Sequence, residues 1–201
     1  ADAKGYWSEP GAVMVMRDDN GDGEPNDTWY ELAGSDYWFK TTRRNVTFTY
    51  EDPQYTGRHA VPYTTSDGDA RAMASNMFHQ QSYFPDPVNY PDVKLVDGKL
   101  SLTGNHIKGV YDRRTPSYIE SYRAFPFGYA DNHATTGDLT VARNPYYAEN
   151  GEDPTDGFDI SWAVDKDGNY VELDEIHFVK VYNAVSEVCG WLCLLYTSPS
   201  P

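Results

Sequence analysis

Apolar residues in this chain recur with a period of two over short runs, and almost nowhere with the period of a helix. Residues 45–50 (NVTFTY) alternate, placing Val46, Phe48 and Tyr50 on one face, as a half-buried strand requires. Residues 12–16 (AVMVM) are apolar without a break, the pattern of a strand covered on both faces. Residues 28–33 (TWYELA), 61–65, 78–84 and 99–103 (KLSLT) add further strands. Residues 118–129 read as a long aromatic strand that Pro126 bends or keeps at a sheet edge. Residues 158–164 (FDISWAV) put Phe158, Ile160, Trp162 and Val164 on one face. A DKDGN turn at 165–169 then leads into 170–184, expected as two strand pieces around Asp174 and Glu175, and this pair carries the strongest hairpin signal.

Only residues 69–77 (DARAMASNM) have the composition of a helix. Loops rich in Pro, Asp and Asn fill 85–92 and 144–156. Evenly spaced short strands separated by such loops predict an all-β chain, a jelly-roll-like β-sandwich with long loops. No internal repeat interrupts it, and residues 1–192 are expected to form a single domain.

Composition supports a β-rich reading. Of 201 residues 15% are aromatic, with 17 Tyr and 5 Trp, and 16 Gly and 13 Pro supply turns. The formal charge of −15 argues against nucleic acid as a partner, because phosphate binding needs a basic face. The Arg43-Arg44 and Arg113-Arg114 doublets are too small to make one. No apolar run is long enough to span a membrane as a helix. The chain opens ADAKGYWSEPG, without a Met or an apolar leader, and is read as a mature segment or fragment whose export signal lies upstream.

Both cysteines, Cys189 and Cys193, sit near the end, so neither disulfides nor cysteine-held zinc organise the rest. The terminal CLLYTSPSP (residues 193–201) resembles translated sequencing-adaptor read-through, and no function is assigned to it.

One loop carries candidate metal chemistry. Five carboxylates crowd between Asp18 and Asp27, and Asp18, Asn20, Asp22 and Gly23 match the D-x-N-x-D-G opening of calcium loops. Glu24 would offer its carbonyl and Asn26 or Asp27 the next oxygen. The twelfth position, where an EF-hand has its bidentate Glu, is Trp29; with Pro25 and strand-like flanks this excludes a helix pair. Glu31 is the candidate late ligand. Calcium is the expected cofactor, the alternative being a solvated turn. Asp165, Asp167 and Asn169 imitate a metal loop but fit a hairpin turn better. Asp131, His133 and Asp138 fit a solvent loop, and Asp159 falls on the face opposite Phe158 and Ile160.

No sequence motif names a reaction. The five histidines lack metalloprotease spacing, and no nucleophile elbow, P-loop or dinucleotide fingerprint is present. A carboxylate pair for glycoside hydrolysis is defined by its separation in space, which the sequence leaves open. Loop aromatics are more informative. Tyr83, Phe84 and Tyr90 lie among prolines, and Tyr146 and Tyr147 follow another. Such rings stack on sugars or other flat ligands, or else pin loops to the core.

The blocks PGAVMVMRDDNGDGEPNDTWYELAGSDY (residues 10–37), GYADN (128–132) and GFDISWAVDKDGNYVELDEIHFVKVYNAV (157–185) resemble a family of secreted cell-surface proteins of Bacteroidetes-type bacteria. The likeness covers most of residues 6–191. It implies an exported domain, extracellular or anchored at the outer-membrane surface as a lipoprotein, often beside PKD-type β modules and other surface proteins. Some relatives are associated with nutrient uptake, including cobalamin. His177 departs from the pattern, standing where an acidic residue is expected, and the pattern ends after Gly190-Trp191-Leu192. The leading expectation is a calcium-stabilised surface domain that captures a glycan or other nutrient. The alternatives are an extracellular glycoside hydrolase and a structural adhesion module.

Overall fold

The computed structural model describes residues 10–55, 57–75, 80–109, 125–132, 147–150, 153–185, 187–189 and 193–195. Among them the chain is almost entirely β, a β-sandwich of two antiparallel sheets with two additional hairpins. The described residues contain no α-helix, and no helix long and apolar enough to cross a membrane.

The first sheet is built on β1 (Gly11–Met16), which pairs with β2 (Trp29–Leu32) and β11 (Phe178–Asn183) on its two sides. β10 (Ala163–Val164) extends it beyond β2, and β7 (Tyr129–Ala130) pairs with the start of β1. The continuous apolar run of β1 has the double burial it predicts. Val13 and Val15 pack with Leu32, Ala163 and Leu173, whereas Ala12 joins Ile107, Phe125, Tyr129 and Val185 on the other side.

The second sheet has the order β5 (Ala70–Met73), β4 (Val61–Thr65), β3 (Arg43–Glu51), β6 (Lys99–His106). Val46, Phe48 and Tyr50 form one buried face with Val61, Tyr63 and Leu100. Each such side chain gains about 1.5–3 kcal/mol from burial. The hairpins pair β8 (Tyr147–Asn150) with β9 (Asp153–Asp156), and β12 (Glu187–Cys189) with β13 (Cys193–Leu195).

The sheets meet where the end of β6 reaches β11. Ile107 N–H donates to Ala184 O at 2.9 Å, and Asn105 N–H to the Tyr182 hydroxyl at 2.7 Å. The Tyr182 ring lies against the bare Cα of Gly104, where an added Cβ would fall 2.5 Å from it.

Four expectations are corrected. The strand expected at 78–84 has, over its described residues 80–84, only an isolated bridge of Gln81 to Gly57. Residues 70–73 of the expected helix are β5, because register with β4 (Val61 opposite Met73, Thr64 opposite Ala70) outweighs a weak propensity. Residues 158–164 do not run as one strand. The Asp159 carboxylate caps a 3-10 turn at Ile160–Trp162 by accepting the Ser161 N–H, which breaks the alternation before β10. After the turn at 165–169, Tyr170 bridges back to Val164 and Val171 N–H donates to Ala163 O at 2.9 Å, and strand pairing resumes at β11. Most of the strand expected at 118–129 lies outside the described residues, as does 76–79.

Candidate functional site

Two surfaces carry the chemistry that the sequence points to, an acidic loop and an aromatic platform. The loop connects β1 to β2 and is exposed from Asp19 to Asn26, with Asp18 and Asp27 half-buried at its base. Its hub is Asp18, whose Oδ1 accepts the N–H of Gly21 (2.7 Å) and Asp22 (3.2 Å) and whose Oδ2 accepts that of Gly23 (2.9 Å). Gly21 and Gly23 hold φ of +72° and +75°, which turns the backbone amides inward. Asn20 and Asn26 each donate an amide N–H to Asp22 Oδ2, at 3.0 and 2.9 Å. The contacts to Asn26 and to the Glu24 N–H hold the Asp22 carboxyl below its usual range. Mutual repulsion of the carboxylates is thus offset by N–H donors.

The expected ligands separate into groups. Asp18, Asn20, Asp22 and Asn26 converge, and the Glu24 carbonyl faces the Asn26 N–H at 2.9 Å. Asp27 is turned aside to accept the Asp19 N–H at 2.9 Å, which closes the base of the loop. Glu31 is not a loop ligand: it sits buried on β2, its Oε2 accepting from Tyr182 Oη (2.6 Å) and Asn105 Nδ2 (2.8 Å). Its distance from the loop follows from strand pleating, which aims residue 31 at the sheet interface. Two carboxylates and two side-chain amides fit a hard, oxygen-preferring cation in kind and order. Among the described residues no three acidic, His or Cys side chains group closely enough to hold a metal by themselves. Asn oxygens and a main-chain carbonyl would therefore have to share the ion with water.

His177 explains itself here. Its Nδ1 accepts the Asp18 N–H at 3.0 Å, while its own N–H donates to Met16 O at 2.8 Å. An imidazole at this position ties the loop to the start of β11.

The expected binding aromatics are dispersed. Phe84 is buried against Phe48 and its neighbours, and Tyr83 is half-buried against the same cluster, so both pin the 82–95 loop to the second sheet. Tyr90 is exposed. Tyr147 lies on β8 opposite Asp156, and Tyr146 lies outside the described residues, as do His133 and Asp138.

The aromatic platform is elsewhere. Trp38 and Tyr170 are 49% and 68% exposed, with ring centroids 6.0 Å apart, and Phe39 is exposed beside Trp38 in the chain. Trp38 comes from a series of tight turns at 34–42, in which Phe39 N–H donates to Asp36 O and Thr42 Oγ1 to the same carbonyl. Tyr170 comes from the 165–169 turn, folded around the Asp165 carboxylate, whose Oδ1 accepts the N–H of Asp167 and Asn169. The turns interlock, with Gly168 beneath the Trp38 ring and Asn45 Nδ2 donating to Lys166 O at 2.5 Å. Tyr37 packs edge-on to Trp38 at 4.7 Å, and the Arg44 guanidinium lies 6.0 Å from the Trp38 centroid. The rings therefore face solvent yet are held from behind, the arrangement that stacks a flat or cyclic ligand without first ordering it. Each ring had a local signal, an aromatic directly beside turn residues in GSDYWF and DGNY, but only the fold joins them.

No protein-family model matches the chain, and no curated protein matches it.

Proposed function

We propose that this chain is a surface-displayed capture domain that binds a glycan on the Trp38–Tyr170 platform. The observation that carries the reading is the pair of exposed, pre-positioned rings from two separate turns. Sugar rings present apolar C–H faces to such a surface, while their hydroxyls reach polar groups at its margin. Arg44 at the start of β3, and Asp167 and Asn169 on the 165–169 turn, supply such polar side chains. Export to the cell surface, extracellular or outer-membrane-anchored, rests on the sequence resemblance. The loop at 18–27 serves as a brace in this reading, with calcium held by Asp18, Asn20, Asp22, Asn26 and the Glu24 carbonyl.

The test is a panel of neutral and acidic oligosaccharides, read by tryptophan fluorescence and calorimetry on the wild type, Trp38→Ala and Tyr170→Ala. Binding by the wild type that weakens about tenfold or more in Trp38→Ala, about 1.4 kcal/mol, supports the platform. Binding that survives both substitutions would move the site elsewhere. Turnover of the panel would favour the glycoside-hydrolase reading, and silence in both assays the adhesion module.

A further inference from the structure

The buried carboxyl of Glu31 is used by neither surface. It is 7% exposed, and both of its donors come from other strands, Tyr182 from β11 and Asn105 from β6 of the second sheet. Asn105 is itself fixed, its Oδ1 accepting the Asn45 N–H at 2.7 Å and its N–H donating to Tyr182 Oη. One carboxyl group thus ties strands of both sheets at the point where they meet.

The groups around it are short of positive charge. Across β2 its register partners are Met14 on β1 and Val164 on β10, neither ionisable. From β11 come Tyr182 and Lys180, the latter on the far side of Met14 with its ammonium 4.5 Å from the Trp29 ring centroid. From the 34–42 turn comes Tyr37, with Arg44 and Asp165 beyond it, and Tyr37 and Tyr182 both feel the Glu31 charge as unfavourable to their own ionisation. An ionised carboxylate here loses its water and gains two neutral donors, whereas a neutral carboxyl loses far less.

We infer that Glu31 is a proton-linked clasp between the two sheets: its two cross-strand hydrogen bonds hold in either form, and the folded state is favoured when a solvent proton sits on the buried carboxyl and disfavoured when that proton leaves. Both of its hydrogen bonds among the described residues fall on Oε2. Burial accordingly pushes the carboxyl up to about 7, against the lowering pull of Tyr182 and Asn105. The sign follows directly. The folded state binds this proton more tightly than the unfolded chain, so its stabilising effect is complete below the unfolded value and is lost as pH rises through about 7.

Urea unfolding of the wild type and Glu31→Gln between pH 5 and pH 8 tests it. The wild-type unfolding constant, divided by that of the variant, should fall by a factor of roughly 10–100 from pH 8 to pH 5. A ratio that does not change with pH overturns the clasp. Should Glu31→Gln fail to fold, infrared spectroscopy of the wild type decides, because ordinary carboxyls are ionised at pH 6. A protonated-carboxyl band at pH 6 that disappears above pH 8 upholds the inference, and its absence at pH 6 refutes it. Tyr182→Phe, which removes a donor favouring the ionised form, should shift that disappearance to higher pH.

Discussion

At the scale of single residues, two backbones approach each other closely at Gly128 and Gly34. A Cβ at Gly128 would lie 2.5 Å from the Gly34 Cα, and Gly128 also holds φ of +81°. The contact lets Ser35 N–H reach Phe127 O at 3.0 Å, which joins the turns that follow β2 to the chain entering β7. An alanine there incurs about 1–2 kcal/mol for the left-handed backbone and about 1–3 for the collision, which neither backbone can relieve by rotating a side chain. Gly128→Ala should therefore destabilise the protein by about 3 kcal/mol in urea unfolding. A loss under about 1 kcal/mol would mean that the two backbones separate easily. The requirement was invisible in the sequence, where Gly128 is one of 16 glycines, because the partner of a close approach is set by the fold.

Among the elements, the 18–27 loop is held chiefly by side-chain oxygens, and Asp18 accepts the most backbone N–H groups. Asp18→Ala would strip the acceptor from three backbone N–H groups, which water can partly replace because the loop is exposed. Without metal its cost should be modest, about 1 kcal/mol. With calcium the two proteins should diverge: the wild-type melting temperature rises by several degrees on adding calcium and returns with chelator, while the variant does not respond. Identical wild-type melts with calcium and with chelator would remove calcium from the account. That Asp18, Asn20, Asp22 and Asn26 cluster was legible because they are close in sequence around two tight glycine turns. Glu31 was misplaced because two more residues on a pleated strand aim a side chain by face, not by distance along the chain. The same distinction runs through the fold. The strands β1, β3, β4 and β6 announce themselves by burial period, whereas β5 exists only through β4, and the Asp159 cap competes locally with the strand pattern around it. The platform was unreadable for the same reason as Gly128. Trp38 and Tyr170 are distant in sequence, and only the interlocking of their turns through Gly168 and Asn45 brings the rings together.

For the molecule as a whole, two buried titratable groups pull stability in opposite directions as pH changes. Glu31 favours the folded state at low pH, as argued from its raised value of about 7. His106, on β6, is buried against the Phe48 ring at 4.3 Å, and burial together with the Arg43 charge pushes its imidazole down to about 4. Its sign is the reverse. The unfolded chain binds this proton more readily, so its contribution is complete above the ordinary histidine value of about 6.5 and is lost as pH falls through about 4. Between about pH 4.5 and 6.5 the two contributions nearly cancel, and wild-type stability should be close to level there. Below that range Asp67, held under its usual value by hydrogen bonds from Arg43 and Thr65, adds to the loss, and acid unfolding should set in. Removing either buried group should expose the other. Glu31→Gln should lose stability steadily on acidification from pH 7 to 5, whereas His106→Phe, which keeps a ring against Phe48, should gain stability over the same interval. Measured by urea unfolding at half-unit pH steps, these opposite slopes should straddle a flat wild-type curve. Parallel curves for all three proteins would show that neither group changes its proton affinity on folding, and the level wild-type profile would then need a different origin.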